Sequence, residues 1–260
     1  MNKHLKNTLI NSTIAFVSAF IITTLIHEAG HFISYRLFGI KAVLYHNYVE
    51  TAELIIALKT RVISAMAGPF ISLFQGLIFA GVIIFKKNRS PVFLLMLWLS
   101  LLGFINFFGY LMLTPLSTTG DTGKTAELLH ISYYVRVLIG IFGLAAAISI
   151  VLKMGKYFSG FIPENDSENS KTGYVYCIMF FPIIIGSVLN VLLAFPVATL
   201  LSVVYPATSS FVVMSSFGAI LKTPGASVPD SSVTHGTSRF LAVILLSAVI
   251  LNRLLTMGFG

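Results

Sequence analysis

Residues 8–38 read TLINSTIAFVSAFIITTLIHEAGHFISYRLF, and this stretch decides the fold class. From Thr8 to Ile26 no side chain carries a formal charge. A run of that character and length matches the roughly 20 residues that a helix needs to cross a hydrocarbon layer. The run leads directly into Ile26-His27-Glu28-Ala29-Gly30-His31, with Gly39 as the expected stop of the helix. In a helix, His27 and His31 lie one turn apart on one face and can share a metal ion. Glu28 projects beside them, where it can act as a base on water. Random order would yield this His-Glu-x-x-His pattern in only about three chains per thousand of this length and composition. Ionisable groups at membrane depth cost roughly 2.5 to 3.5 kcal/mol each, so a functional reading outweighs mere pairing of these side chains inside a bundle.

The rest of the composition agrees with a membrane setting. Of 260 residues 56% are hydrophobic and only 10% are charged, against about 25% charged in an ordinary soluble domain. The formal charge of +8 does not form one basic face. Lys and Arg sit at span ends and in short loops, which points to an anionic lipid surface and away from nucleic acid. Cys177 is the single cysteine, so no intramolecular disulfide and no Cys-rich metal site can form. The N-terminal Lys3 and Lys6 before an apolar run look like a signal peptide, but no small-residue cleavage site interrupts the run, and a retained first span is expected.

The expected fold class is an all-α polytopic membrane protein with about six transmembrane helices and a short interfacial β-strand or hairpin after the first span. The spans expected are 8–38, 61–85 (broken near Gly68-Pro69), 92–115, 133–152, 174–205 (long for one crossing and holding Pro182 and Pro196, hence expected to tilt, kink or partly re-enter) and 240–257. Residues 42–50 are rich in β-formers and too polar to cross. Residues 153–173 read as the clearest loop, 211–221 as interfacial and 223–238 as a Gly/Pro/Ser loop. The charged cluster Lys86-Lys87-Asn88-Arg89 closes the second span. The chain is expected to divide into residues 1–130, a core carrying the chemistry, and 131–260, an accessory transmembrane region.

Two imidazoles leave a catalytic zinc short of one protein ligand. Asp121 is the leading candidate for the third, being the only aspartate before Asp166 and lying in the turn Thr119-Gly120-Asp121-Thr122-Gly123 after a span. Its structural alternative is a helix cap or turn former. His46, His130 and His235 are further candidates, and Glu127 could orient a ligand histidine or simply favour a helix start. Gly123-Lys124-Thr125 mimics the end of a phosphate-binding loop, but the first glycine of that motif would fall at Thr118 and no β-strand precedes it, so a nucleotide is not expected.

His27-Glu28-Ala29-Gly30-His31 at the end of a first span, Ala67-Gly68-Pro69 in the second and an Asp-containing turn after the third resemble the site-2 protease family of intramembrane zinc metalloproteases. The resemblance covers about residues 8–130. It implies that His27, His31 and Asp121 hold one Zn2+ and that Glu28 is the catalytic base. The family's Asn-x-x-Pro element is missing, since Met112 stands three residues before Pro115, and Asp121 is followed by Thr122 before Gly123; Asn106 lies further upstream. The partner implied is a membrane protein or peptide, cleaved within or beside the lipid bilayer. An ion transporter or metal-binding scaffold is the rival reading, and Glu28 argues against it because a transporter has no use for a base next to a ligand histidine. A regulator that binds helices without cleaving them is a third.

Overall fold

The computed structural model of the chain describes residues 3–85, 90–163, 168–225, 233 and 236–260. Helix α1 spans Lys3–Leu37, 35 residues, or about 52 Å at 1.5 Å per residue, well beyond a hydrocarbon core of about 30 Å. It stops where the sequence places the stop. Gly39 adopts φ 76°, its N–H donates to the carbonyl of Arg36 and that of Ile40 to Tyr35, both at 3.0 Å. This is the left-handed cap that glycine makes without steric cost.

A hairpin follows, β1 (Ala42–Leu44) antiparallel to β2 (Val49–Thr51) with Val43 opposite Glu50. The other edge of β1 is met at Leu44 by Phe259, through hydrogen bonds of 2.7 and 2.9 Å. Then come α2 (Leu58–Phe85), α3 (Pro91–Leu113), the short α4 (Asp121–Leu128) and α5 (Tyr133–Gly155), which tightens into a 3-10 turn over Lys156–Phe161. Helix α6 (Glu168–Val175) passes through a π-helical turn, Tyr176–Phe180, into α7 (Phe181–Leu193). Helices α8 (Leu201–Thr208) and α9 (Phe217–Lys222) are joined by a 3-10 stretch, and α10 (Arg239–Leu254) completes the bundle.

The architecture is that of an all-α polytopic membrane protein: 79% helical, with one two-stranded sheet among the described residues. Seven helical stretches are long and apolar enough to cross a membrane, one more than the sequence reading. The difference lies in residues 174–222, read as one long span and an interfacial piece. The helix ends at Leu193, and residues 194–200 turn at Pro196, which has no N–H with which to continue a helix. A second stretch, Leu201–Lys222, then forms. Two further expectations give way. Helix α2 runs unbroken through Pro69, and the expected loop 153–173 is largely helical, burying Phe158, Phe161 and Ile162. Residues 164–167, most of 223–238 and the Lys86–Arg89 cluster lie outside the described residues.

Helix α3 is the centre of the bundle. Its apolar stretch is 83% buried, against 22% for Tyr133–Phe161 and 17% for Arg239–Met257, so it packs on all sides while those two present apolar side chains outward. Polar bonds tie the elements across the apolar interior. The Gln75 amide donates to Thr23 Oγ1 (2.7 Å) and to the Leu99 carbonyl (2.8 Å), and Trp98 Nε1–H donates to Ser12 Oγ (3.1 Å). Small residues let the backbones approach closely. A Cβ on Gly30 would lie 2.8 Å from the Ala67 carbonyl oxygen, and one on Gly103 would lie 2.7 Å from both Gly76 N and the Ser72 carbonyl oxygen.

Gly103→Ala forces a methyl into backbone atoms of α2 and is expected to cost about 1–3 kcal/mol, read as a lowered thermal midpoint in detergent. Gly109→Ala, on the same helix with nothing within 4 Å of the added carbon, is expected to leave that midpoint unchanged or slightly raised.

Candidate metal centre

His27 and His31 are buried on one face of α1, one turn apart. Asp121, 94 residues from His27 in sequence, reaches them from α4: its Oδ2 lies 3.0 Å from His27 Nε2 and 3.3 Å from His31 Nε2. The two Nε2 atoms are 3.1 Å apart. Asp121 occupies the first helical position of α4 and Gly120 is the cap residue, with no side-chain cap bond. The carboxylate therefore is not spent on capping. The turn that delivers it is tightly built: Thr122 Oγ1 donates to the Tyr110 carbonyl (2.5 Å), Thr114 Oγ1 donates to Thr122 Oγ1 (2.8 Å), and a Cβ on Gly123 would fall 1.8 Å from the Ser117 carbonyl oxygen.

The partners of the other ring nitrogens define the tautomers. His31 Nδ1 faces the Ser64 carbonyl at 2.6 Å, an acceptor only, so Nδ1 carries the proton. The Ser72 hydroxyl gives its one proton to the Gly68 carbonyl (3.1 Å), so it accepts from His27 Nδ1–H at 3.3 Å. With both rings neutral, each Nε2 then turns an unprotonated lone pair toward Asp121. Three acceptors converge on one point, and only a cation satisfies them together. A proton answers one of the three contacts; a metal ion answers all three, and this group could hold one.

The site is shaped by what helix α2 lacks. A Cβ on Gly68 would stand 2.3 Å from His31 Nε2, so the imidazole occupies the space of a missing side chain. Ser64, Gly68, Ser72 and Gly76 recur every four residues, a small-residue face against which α1 and α3 pack. That periodicity is visible in the sequence and would have marked Ser64, Gly68 and Ser72 as neighbours of the histidines. Tyr110 is a further residue the sequence reading missed. Its ring stacks on His27, centroids 5.1 Å apart and tilted 5°.

Glu28 is buried and lines, with the three ligand candidates, a cavity of about 300 Å³. Asn106 is buried on the same cavity. His46 also lines it, but its Nε2–H donates to the Ala194 carbonyl at 2.9 Å, and burial pushes the imidazole down into its neutral form. Glu127 and His130 are exposed and do not line this cavity. His235 lies outside the described residues. Compared with protein-family models, with curated proteins and with solved structures, the chain matches none.

Asp121→Ala and Gly68→Ala are each expected to abolish stoichiometric metal in the purified protein, the first by removing a ligand atom and the second by displacing His31. Ser72→Ala, which releases His27 Nδ1, is expected to weaken metal binding about 10- to 100-fold. Metal analysis after dialysis against a chelator series measures all three.

Proposed function

We propose that the chain is an intramembrane zinc metalloprotease of the site-2 type, hydrolysing a peptide bond in a membrane-embedded or membrane-proximal segment of another protein. The observation that carries this reading is the convergence of His27, His31 and Asp121 on one point inside an apolar bundle, with Glu28 on the same cavity. Neighbouring ligand atoms on a zinc tetrahedron with bonds near 2.0–2.1 Å stand about 3.3 Å apart, and the separations here are 3.0, 3.1 and 3.3 Å. Two nitrogens and a carboxylate oxygen are a donor set that zinc accepts, leaving one position for substrate or water.

Zinc held there supplies a Lewis acid that polarises a carbonyl and makes water a nucleophile near neutral pH. Glu28 takes the proton as the water oxygen bonds to the peptide carbonyl carbon, and it returns that proton to the nitrogen as the C–N bond breaks. Asp121 and the Ser64 and Ser72 contacts hold both imidazoles in the ligating tautomer throughout. A substrate helix hides its carbonyls in its own hydrogen bonds, so the segment to be cut must first extend. The hairpin offers such a strand a place to pair: β1 is already met by β2 and Phe259, whereas β2 pairs with β1 alone among the described residues. Seven apolar stretches suit residence in a bilayer.

Glu28→Gln in proteoliposomes containing a single-span test substrate is expected to lower cleavage by at least about 100-fold with metal content unchanged, followed by mass spectrometry of the products. Cleavage at the wild-type rate in this variant sinks the mechanism. Ion flux without cleavage in the wild type favours the transporter reading.

A further inference from the structure

The cavity that holds the proposed zinc ligands is also lined by four asparagines, and three of them leave polar atoms without a partner. Asn190, on α7, is 3% exposed, and neither its Oδ1 nor its Nδ2 has a hydrogen-bond partner. Asn106, on α3, is likewise 3% exposed, and its Oδ1 is unpartnered. Asn47, in the turn of the hairpin, donates through Nδ2 to the Ala194 carbonyl (2.9 Å) and leaves Oδ1 unpartnered. A buried carboxamide with unpaired atoms costs free energy that a leucine of nearly the same shape avoids. Helix α7 is nonetheless seated to bring Asn190 here: Gly186, one turn earlier on the same face, packs where a Cβ would be 2.2 Å from the Phe16 ring.

A carboxamide presents one acceptor and two donor hydrogens, the complement of another amide. These three side chains carry no charge, so they select hydrogen bonding in place of ion pairing. An unwound substrate at membrane depth has the matching need, since its own freed N–H and C=O groups find no water in lipid. Resting on the proteolytic reading above, we infer that Asn190, with Asn106 and Asn47, forms a subsite that hydrogen-bonds an amide of the extended substrate peptide. The second half of the chain thereby contributes directly to substrate binding.

The test uses the full chain carrying Glu28→Gln in detergent, so that nothing is cleaved. The probe is a dye-labelled Leu/Ala-rich single-span peptide of about 20 residues with a central Gly-Ser break and no Asn or Gln, which leaves only main-chain amides to be read. A second probe has the amides at the break N-methylated. Adding Asn190→Leu is expected to weaken binding of the first probe at least about tenfold, to affect the N-methylated probe less, and to leave the thermal midpoint equal or higher. Equal affinity of both proteins for the first probe overturns the subsite and leaves the protease reading standing. Weaker binding that merely accompanies a lowered thermal midpoint overturns it as well. If the first probe binds in an Asn190-dependent way yet protein with intact Glu28 never cuts it, the subsite stands and the protease reading falls. If neither protein binds it, both fall.

Discussion

A carboxylate and two imidazole lone pairs brought within 3.0 to 3.3 Å of one another in an apolar bundle are mutually repulsive until a cation joins them. Much of the surrounding structure serves that one requirement. The Ser64 carbonyl and the Ser72 hydroxyl accept from the Nδ1–H groups, which in the neutral rings leaves both Nε2 lone pairs for an ion. Tyr110 closes one side by stacking on His27. The ionisable groups cluster because each would be far costlier alone at this depth.

Such an arrangement needs helices closer than side chains ordinarily permit. Gly30 admits the backbone of α2, Gly68 admits the His31 ring, and Gly76 and Gly103 let α2 and α3 touch. At Gly30 and Gly103 these contacts are chiefly with backbone atoms, which cannot move aside. The same glycines therefore act on packing and on the site together: a methyl group added at Gly68 is a change in the bundle and in the position of a ligand. Without a hydrophobic driving force between helices in lipid, close van der Waals approach and interhelical bonds such as Gln75 to Thr23 supply the association instead.

The cavity is built from both halves of the chain. Its lining includes His27, Glu28, His31 and Asp121, and also Asn190, Tyr205 and Asn252. The hairpin joins the two, since His46 and Asn47 both donate to Ala194 and Leu44 pairs with Phe259. In the proposed function, a peptide reaching the metal ligands passes between these elements, and residues 131–260 take part in holding it.

Residues 8–38 on their own determined that the chain crosses a membrane and that two histidines and a glutamate share one helical turn at depth. Apolar run length and the 3.6-residue repeat are local properties, and both are written in the order of the residues. The stop at Gly39 and the hairpin after it were legible for the same reason. Pro69 misled because the cost of one lost helical bond was outweighed by packing on either side; Pro196 marked a kink or re-entry in 174–205, but the continuously apolar run did not show that two separate stretches form there. Which carboxylate meets the histidines, that Gly68 makes room for His31, and that Asn190 lies on their cavity were decided only by the tertiary structure. Each depends on where separate helices cross, and crossing is set by contacts between residues far apart in the chain, which no local pattern encodes.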